Sequence, residues 1–217
     1  MNNINYNILI TGVSGTLGTE LKLCCENYGY KVYGHSLNSK ADIIADFNDL
    51  SHLPFFENFI EQNNITCIIN NAGIYSDTNF VDLSNNEILK ILNINLISPI
   101  IITKYFYNYI TKHNKTGLII NINSLAGKFS NYKEAIYCAS KFGLNGFGSS
   151  LSMNQQKSRI SVMDCYFGGI KTNMTLSRDN YNTLIEPTEA AAFIVKNIKN
   201  CETGIVSTFE YRKVYDN

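Results

Sequence analysis

Apolar residues in this chain gather into short runs separated by amphipathic stretches, and the alternation holds along most of its length. Asn7 to Ile10 is an apolar run that leads straight into the glycine-rich segment Thr11 to Gly18. Beyond it, Leu17, Leu21 and Cys24/Cys25 fall on one side of a helical wheel, with Glu20, Lys22 and Glu26 on the other, so a strand, a turn and a helix are predicted. Gly29 ends that helix, Lys31 to His35 predicts a second strand, and Asp42 to Ala45 a third. Too few residues separate these two for a crossover helix. Leu53 to Gln62 predicts a helix and Thr66 to Asn70 a buried strand. Leu83 to His113 reads as a long helical region broken near Asn95 and Ser98-Pro99, because proline cannot donate to the helical ladder. Leu118 to Ile122 is the fifth strand, a helix follows to about Gln156, and Ile160 to Phe167 is the sixth. Pro187 opens a last helix at its first turn, and Gly204 to Tyr211 is a final strand. Strands alternating with helices predict an α/β fold: a single-domain, doubly wound parallel sheet of about seven strands. Ligands of such sheets bind at the strands' C-terminal ends.

Composition narrows the function. Lys+Arg and Asp+Glu balance at 18 each with no basic stripe, which argues against nucleic acid as a partner. The longest apolar stretch near a span, Ile94 to Ile102, is short and contains Pro99, so no membrane segment is expected. The first residues carry no positive region ahead of an apolar one, so no secretory leader is read there. The six cysteines form no Cys-x-x-Cys pair and read as reduced thiols, with no metal site and a cytoplasmic location expected.

Candidate chemistry sits at the strand ends. Glycines in Thr11 to Gly18 let backbone N–H groups approach a pyrophosphate, and the helix that follows offers its N-terminus to the negative charge. Asp46 closes the third strand, placed either to meet an adenine or to cap the next turn. Ser124 closes the fifth strand, and thirteen residues on come Tyr137 and, one helical turn further, Lys141. A hydroxyl at a strand end with a phenol and an ammonium on one helix face is a proton-transfer set for a carbonyl or an alcohol.

Thr11–Gly18, Asp46, Asn70–Gly73, Ile94–Leu96, Ile119–Ser124, Tyr137–Lys141 and Gly168–Thr172 occur in an order that resembles the short-chain dehydrogenase/reductase family over nearly the whole chain. The resemblance implies a Rossmann-type sheet and an NAD(P)-dependent oxidoreductase acting on a small carbonyl/alcohol substrate. It implies Tyr137 as general acid/base, Lys141 as its electrostatic partner and ribose ligand, Ser124 as holder of the substrate oxygen, and Asn95 as holder of a relay water. Cofactor contacts are implied for Gly12, Ser14, Gly15, Thr16, Leu17, Gly18, His35, Ser36, Asp46, Phe47, Asn71, Ala72, Gly73, Ile170 and Thr172, besides Tyr137 and Lys141. It also implies a homodimer or homotetramer, formed through the helices Ile100 to Ile110 and Phe142 to Leu151.

The chain departs from the pattern in places. Thr16 stands where the single-domain branch usually has Gly, Asn123 replaces a common Ser, Phe167 a common Pro, and the segment over the substrate, about Asn173 to Ile185, is short. NAD-preferring relatives carry an acidic residue where Ser36 falls, and His35 and Lys40 lie close enough to supply positive charge, so NADP(H) is favoured over NAD(H). Two other functions fit the motifs: a dinucleotide-binding regulatory protein without turnover, and a nucleotide-sugar or keto-sugar reductase.

Overall fold

A computed structural model describes residues 6–37, 40–201 and 208–211. Seven parallel strands form one sheet in the order β3-β2-β1-β4-β5-β6-β7. They are β1 (Asn7–Thr11), β2 (Lys31–Ser36), β3 (Ile43–Ile44), β4 (Cys67–Asn70), β5 (Gly117–Ser124), β6 (Ile160–Phe167) and β7 (Thr208–Tyr211). Helix α1 (Thr16–Asn27) and helix α7 (Pro187–Cys201) cover one face. Helices α2 (Pro54–Gln62) and α4 (Ser98–Lys112) cover the other. Strand β1 pairs with both β2 and β4, so the chain order reverses there and a crevice opens at the C-terminal ends of β1 and β4.

The period of two in the strands decides which helix each residue meets. Ile8 and Ile10, Cys67 and Ile69, and Leu118 and Ile120 pack towards Leu21, Ile194 and Ile198. Leu9, Ile68, Ile119 and Val162 pack towards Phe56, Ile102, Phe106 and Ile110. Burial on both faces is why the strands read as continuous apolar runs. A polar row interrupts them. Asn70, Asn121 and Asp164 are register partners on adjacent strands. Asn70 Nδ2 donates to Asn121 Oδ1 at 2.8 Å, and Asn121 Nδ2 to Asp164 Oδ1 at 2.9 Å.

Several sequence expectations change here. The third strand is only two residues long. The helix expected to run to Gln156 is α5 (Ala135–Ser152), followed by a separate turn of helix, α6 (Gln155–Ser158). The first four residues of the expected final strand, 204–207, lie outside the described residues. The predicted break in the long helix is a turn of π-helix, Asn93–Ile97, joining α3 (Asn85–Leu92) to α4, with Pro99 in the first turn of α4. The run Asn85–Lys112 is long and apolar enough to cross a membrane by length and composition, where none was expected. In this fold it lies along the sheet, with Ile102, Phe106 and Ile110 fully buried and Lys90, Lys104 and Lys112 facing out.

Three glycines in α5 read as close-packing positions, and two of them are. A β-carbon on Gly143 would come within 2.8 Å of Leu96, and one on Gly148 within 2.3 Å of the Asp164 carboxylate. Gly146 has open space beside it.

Candidate active site

The crevice is a cavity of about 700 Å3. Its first wall is the turn after β1. Gly12 adopts a left-handed backbone (φ 73°), which a glycine takes without strain. A β-carbon on Gly18 would stand 2.1 Å from the Gly12 carbonyl oxygen, so the helix start folds back onto the turn only because Gly18 has none. Helix α1 begins at Gly15 with no side chain capping its N–H groups and no acidic residue in its first turn. Those free donors point a positive helix end at the cavity.

Strand ends stitch the second wall to the first. Thr11 Oγ1 accepts the N–H groups of Asn71 and Ala72, both at 3.0 Å, and Asn71 Nδ2 donates to the Thr11 carbonyl at 2.8 Å. Asn95 is buried in the π-turn. Its Oδ1 accepts the Ile74 N–H at 2.8 Å; its Nδ2 donates to the Ile74 carbonyl at 2.8 Å and to Ser140 Oγ at 3.2 Å. Ser140 Oγ in turn donates to the Tyr137 carbonyl at 2.7 Å. The amide therefore clamps the loop after β4 to the helix that carries the phenol.

Ser124, Tyr137 and Lys141 converge on this cavity. Lys141 is 7 % exposed; its Nζ donates to the Ile122 carbonyl at 3.0 Å and lies 5.8 Å from the centre of the Tyr137 ring. Burial lowers the Lys141 ammonium to about 8. Burial also pushes the Tyr137 phenol up to about 12, while its hydrogen bond with Ser124 pulls the other way. The phenol is thus a bound proton beside a hydroxyl and a cation, an arrangement that can hand a proton to an oxygen placed between them.

Of the residues expected here, all but two line the cavity: Ser36 and Asn95 do not. Asn95 stands behind it as the clamp. Ser36 is buried, donates to Ser14 Oγ at 3.1 Å, and faces a neighbouring cleft that also holds Lys22 and Lys40. Leu37 takes its place in the main cavity. His35 lines the cavity but supplies no charge, contrary to the sequence expectation. Its ring stacks on Phe47 at 4.0 Å, lies 3.0 Å from the Ala45 carbonyl, and is lowered by burial to about 4. Asp46 serves the turn and the cavity together: its Oδ1 accepts the Asn48 N–H at 2.8 Å. Tyr75, Glu134 and Arg178 also line the cavity and were not singled out from sequence, since each stands in a loop or short turn without a motif around it.

The short chain dehydrogenase model matches residues 6–182, and the chain belongs to that family. It is 32% identical over 178 residues to the 3-oxoacyl-[acyl-carrier-protein] reductase FabG of Rickettsia typhi, a match covering 77% of this chain and 73% of the relative. Among solved structures, 4-hydroxyisoleucine dehydrogenase complexed with NADH superposes with a TM-score of 0.84 at 21% identity, covering 94% of this chain and 96% of that one. A structure from Beutenbergia cavernae with bound NADP reaches 0.79 at 18% identity, covering 88% and 89%. The chain is a nicotinamide-dependent oxidoreductase of the carbonyl/alcohol class.

Proposed function

We propose that the protein reduces the carbonyl of a small substrate, with Tyr137 as the proton donor. The observation that carries this is the meeting of Ser124, Tyr137 and Lys141 in the cavity that the Gly12–Gly18 turn also lines. The cradle fits a dinucleotide: the uncapped N-terminus of α1 suits the pyrophosphate, and Gly12 and Gly18 let the turn fold tightly against Ala72 and the start of α1, which sets that helix end at the cavity. Lys141 would hold the nicotinamide ribose, with Ile170 and Thr172 against the carboxamide. The cofactor supplies the hydride. Ser124 Oγ holds the carbonyl oxygen in line with the phenol, and Tyr137, protonated at neutral pH, gives its proton as charge develops there. Asn95 keeps the phenol's helix in register with the loop after β4.

The cofactor is NADP(H) rather than NAD(H). The residues that follow β2, from Leu37 to Lys40, include no carboxylate, and the Ser14 and Ser36 hydroxyls open onto a cleft that holds Lys40 and the Lys22–Glu26 pair, where Lys40 is the cation left for a phosphate on the adenosine ribose. The 3-oxoacyl group that FabG relatives are named for is the first substrate type to test. The protein works in the cytoplasm as a homodimer or homotetramer. Of the two helices expected at the interface, α5 offers Phe142 at its surface and the open Gly146, whereas Ile102, Phe106 and Ile110 of α4 are spent on the core.

The test is turnover of a ketone panel by wild type and Tyr137→Phe with NADPH and NADH. Turnover disappears in the variant while reduced-cofactor fluorescence still reports binding, and NADPH binds more tightly than NADH. A variant that keeps most of its activity overturns the role of Tyr137. Wild type that binds cofactor and reduces nothing favours the regulatory function instead.

A further inference from the structure

The substrate half of the cavity holds a charged cluster that proton transfer does not use. Arg178 comes from the segment after β6, Glu134 from the turn just ahead of α5, and Tyr75 from the loop after β4. Tyr75 Oη donates to Glu134 Oε1 at 2.8 Å, and Arg178 Nη2 meets the same oxygen at 3.5 Å. The guanidinium lies over the Tyr75 ring, 5.1 Å from its centre. That ring packs edge-on against Tyr137 with centres 5.2 Å apart.

One carboxylate oxygen therefore serves two donors, and the guanidinium is held by a long contact with Glu134, by the Tyr75 hydroxyl and by the face of the Tyr75 ring. Most of its fork is unspent on Glu134. Its Nη1 stands 3.4 Å from where a β-carbon on Gly169 would lie, beside the Gly168–Ile170 stretch that lines the cavity. Among the described lining residues the other lysine or arginine is Lys141, which is given to the Ile122 carbonyl and the phenol. A planar fork fixed on one edge and open on the other is matched by a carboxylate, which accepts two parallel N–H bonds.

We propose that Arg178 receives a free carboxylate of the substrate, so that the carbonyl compound reduced here is a short keto acid. This rests on the oxidoreductase function proposed above. Glu134 and Tyr75 act as positioning residues that aim the guanidinium. The two steps of 5.1 and 5.2 Å from guanidinium to Tyr75 to Tyr137 bound the molecule's length, so carboxylate and carbonyl are only a few bonds apart.

Two measurements test it. In the first, short keto acids with the carbonyl at successive distances from the carboxylate are each paired with their methyl ester, and kcat/KM is read with saturating reduced cofactor. The best acid exceeds its ester by roughly ten- to a hundred-fold, the range for one charge-assisted hydrogen-bonded partner. Arg178→Gln collapses that ratio, chiefly through KM of the acid. Equal turnover of acid and ester by wild type, or a variant that loses both in proportion, overturns the proposal and leaves the cluster a latch for the covering segment. In the second, butanoate and butanamide are titrated into cofactor-loaded wild type and followed by the fluorescence of the reduced cofactor. Butanoate saturates a site that butanamide does not fill. Failure of butanoate to bind a protein that holds its cofactor overturns the carboxylate site, whereas butanoate binding without turnover of any ketone overturns the oxidoreductase function and keeps the site.

Discussion

Asp164 offers the sharpest test of how burial controls charge in this protein. It is 5 % exposed, bonded to Asn121 along the polar row and roofed by Gly148 of α5. Burial pushes its carboxyl from the ordinary 3.8 up to about 6, against the pull of the Asn121 hydrogen bond and the Lys128 charge. Between those two values the folded chain holds a proton that the unfolded chain has released. Raising the pH through that window therefore costs stability, and the loss is complete above about 6. At about 1.4 kcal/mol per pH unit the full penalty is roughly 3 kcal/mol. Asp164→Asn keeps an acceptor for Asn121 and cannot ionise. It is expected to exceed wild type in stability by about 1–3 kcal/mol at neutral pH and to match it in acid, below the ordinary carboxyl value. Urea unfolding of both proteins across this range measures the difference. Asp49, Glu61 and Glu87, whose carboxyls are lowered by their hydrogen bonds, shift both proteins alike and cancel. A difference that is flat with pH, or that grows towards acid, refutes the reasoning.

Two further outcomes are expected. Gly18→Ala sets a β-carbon against backbone atoms of Gly12 and Val13, which cannot swing away. It should cost about 1–3 kcal/mol in a thermal melt and weaken binding of reduced cofactor, and unchanged affinity would mean the turn is softer than drawn. Light scattering should give the mass of a dimer or tetramer, and a monomer at micromolar concentration would remove the role assigned to the outer face of α5.

The sheet was legible because both its faces are covered, which prints each central strand as an unbroken apolar run. Tyr137, Lys141 and Ser124 were legible for a different reason: strand-end and helix-turn spacing alone bring them to one point. What stayed hidden depends on side-chain surroundings. His35 looks like a cation in sequence, and only the stacked Phe47 and the packed strand ends turn it into a neutral ring. Ser36 gives no sign in sequence of which opening it faces; the strand's alternation aims it into the adjoining cleft and gives Leu37 the main cavity. Arg178, Glu134 and Tyr75 come from three separate loops, and their meeting is a product of the tertiary fold.

The π-turn at Asn93–Ile97 has a consequence for how the clamp relates to the rest of the molecule. Such a turn holds one residue more than α-geometry requires, inserted without rephasing the helix on either side. Beyond the turn, Ile102, Phe106 and Ile110 form a buried stripe aimed at the sheet. Asn95, inside the turn, spends its side chain on the Ile74 backbone and Ser140 and not on that stripe. The scaffold can keep its shape while the bond between the loop after β4 and the helix of the phenol comes undone, so foldedness and competence are separable properties at this one position.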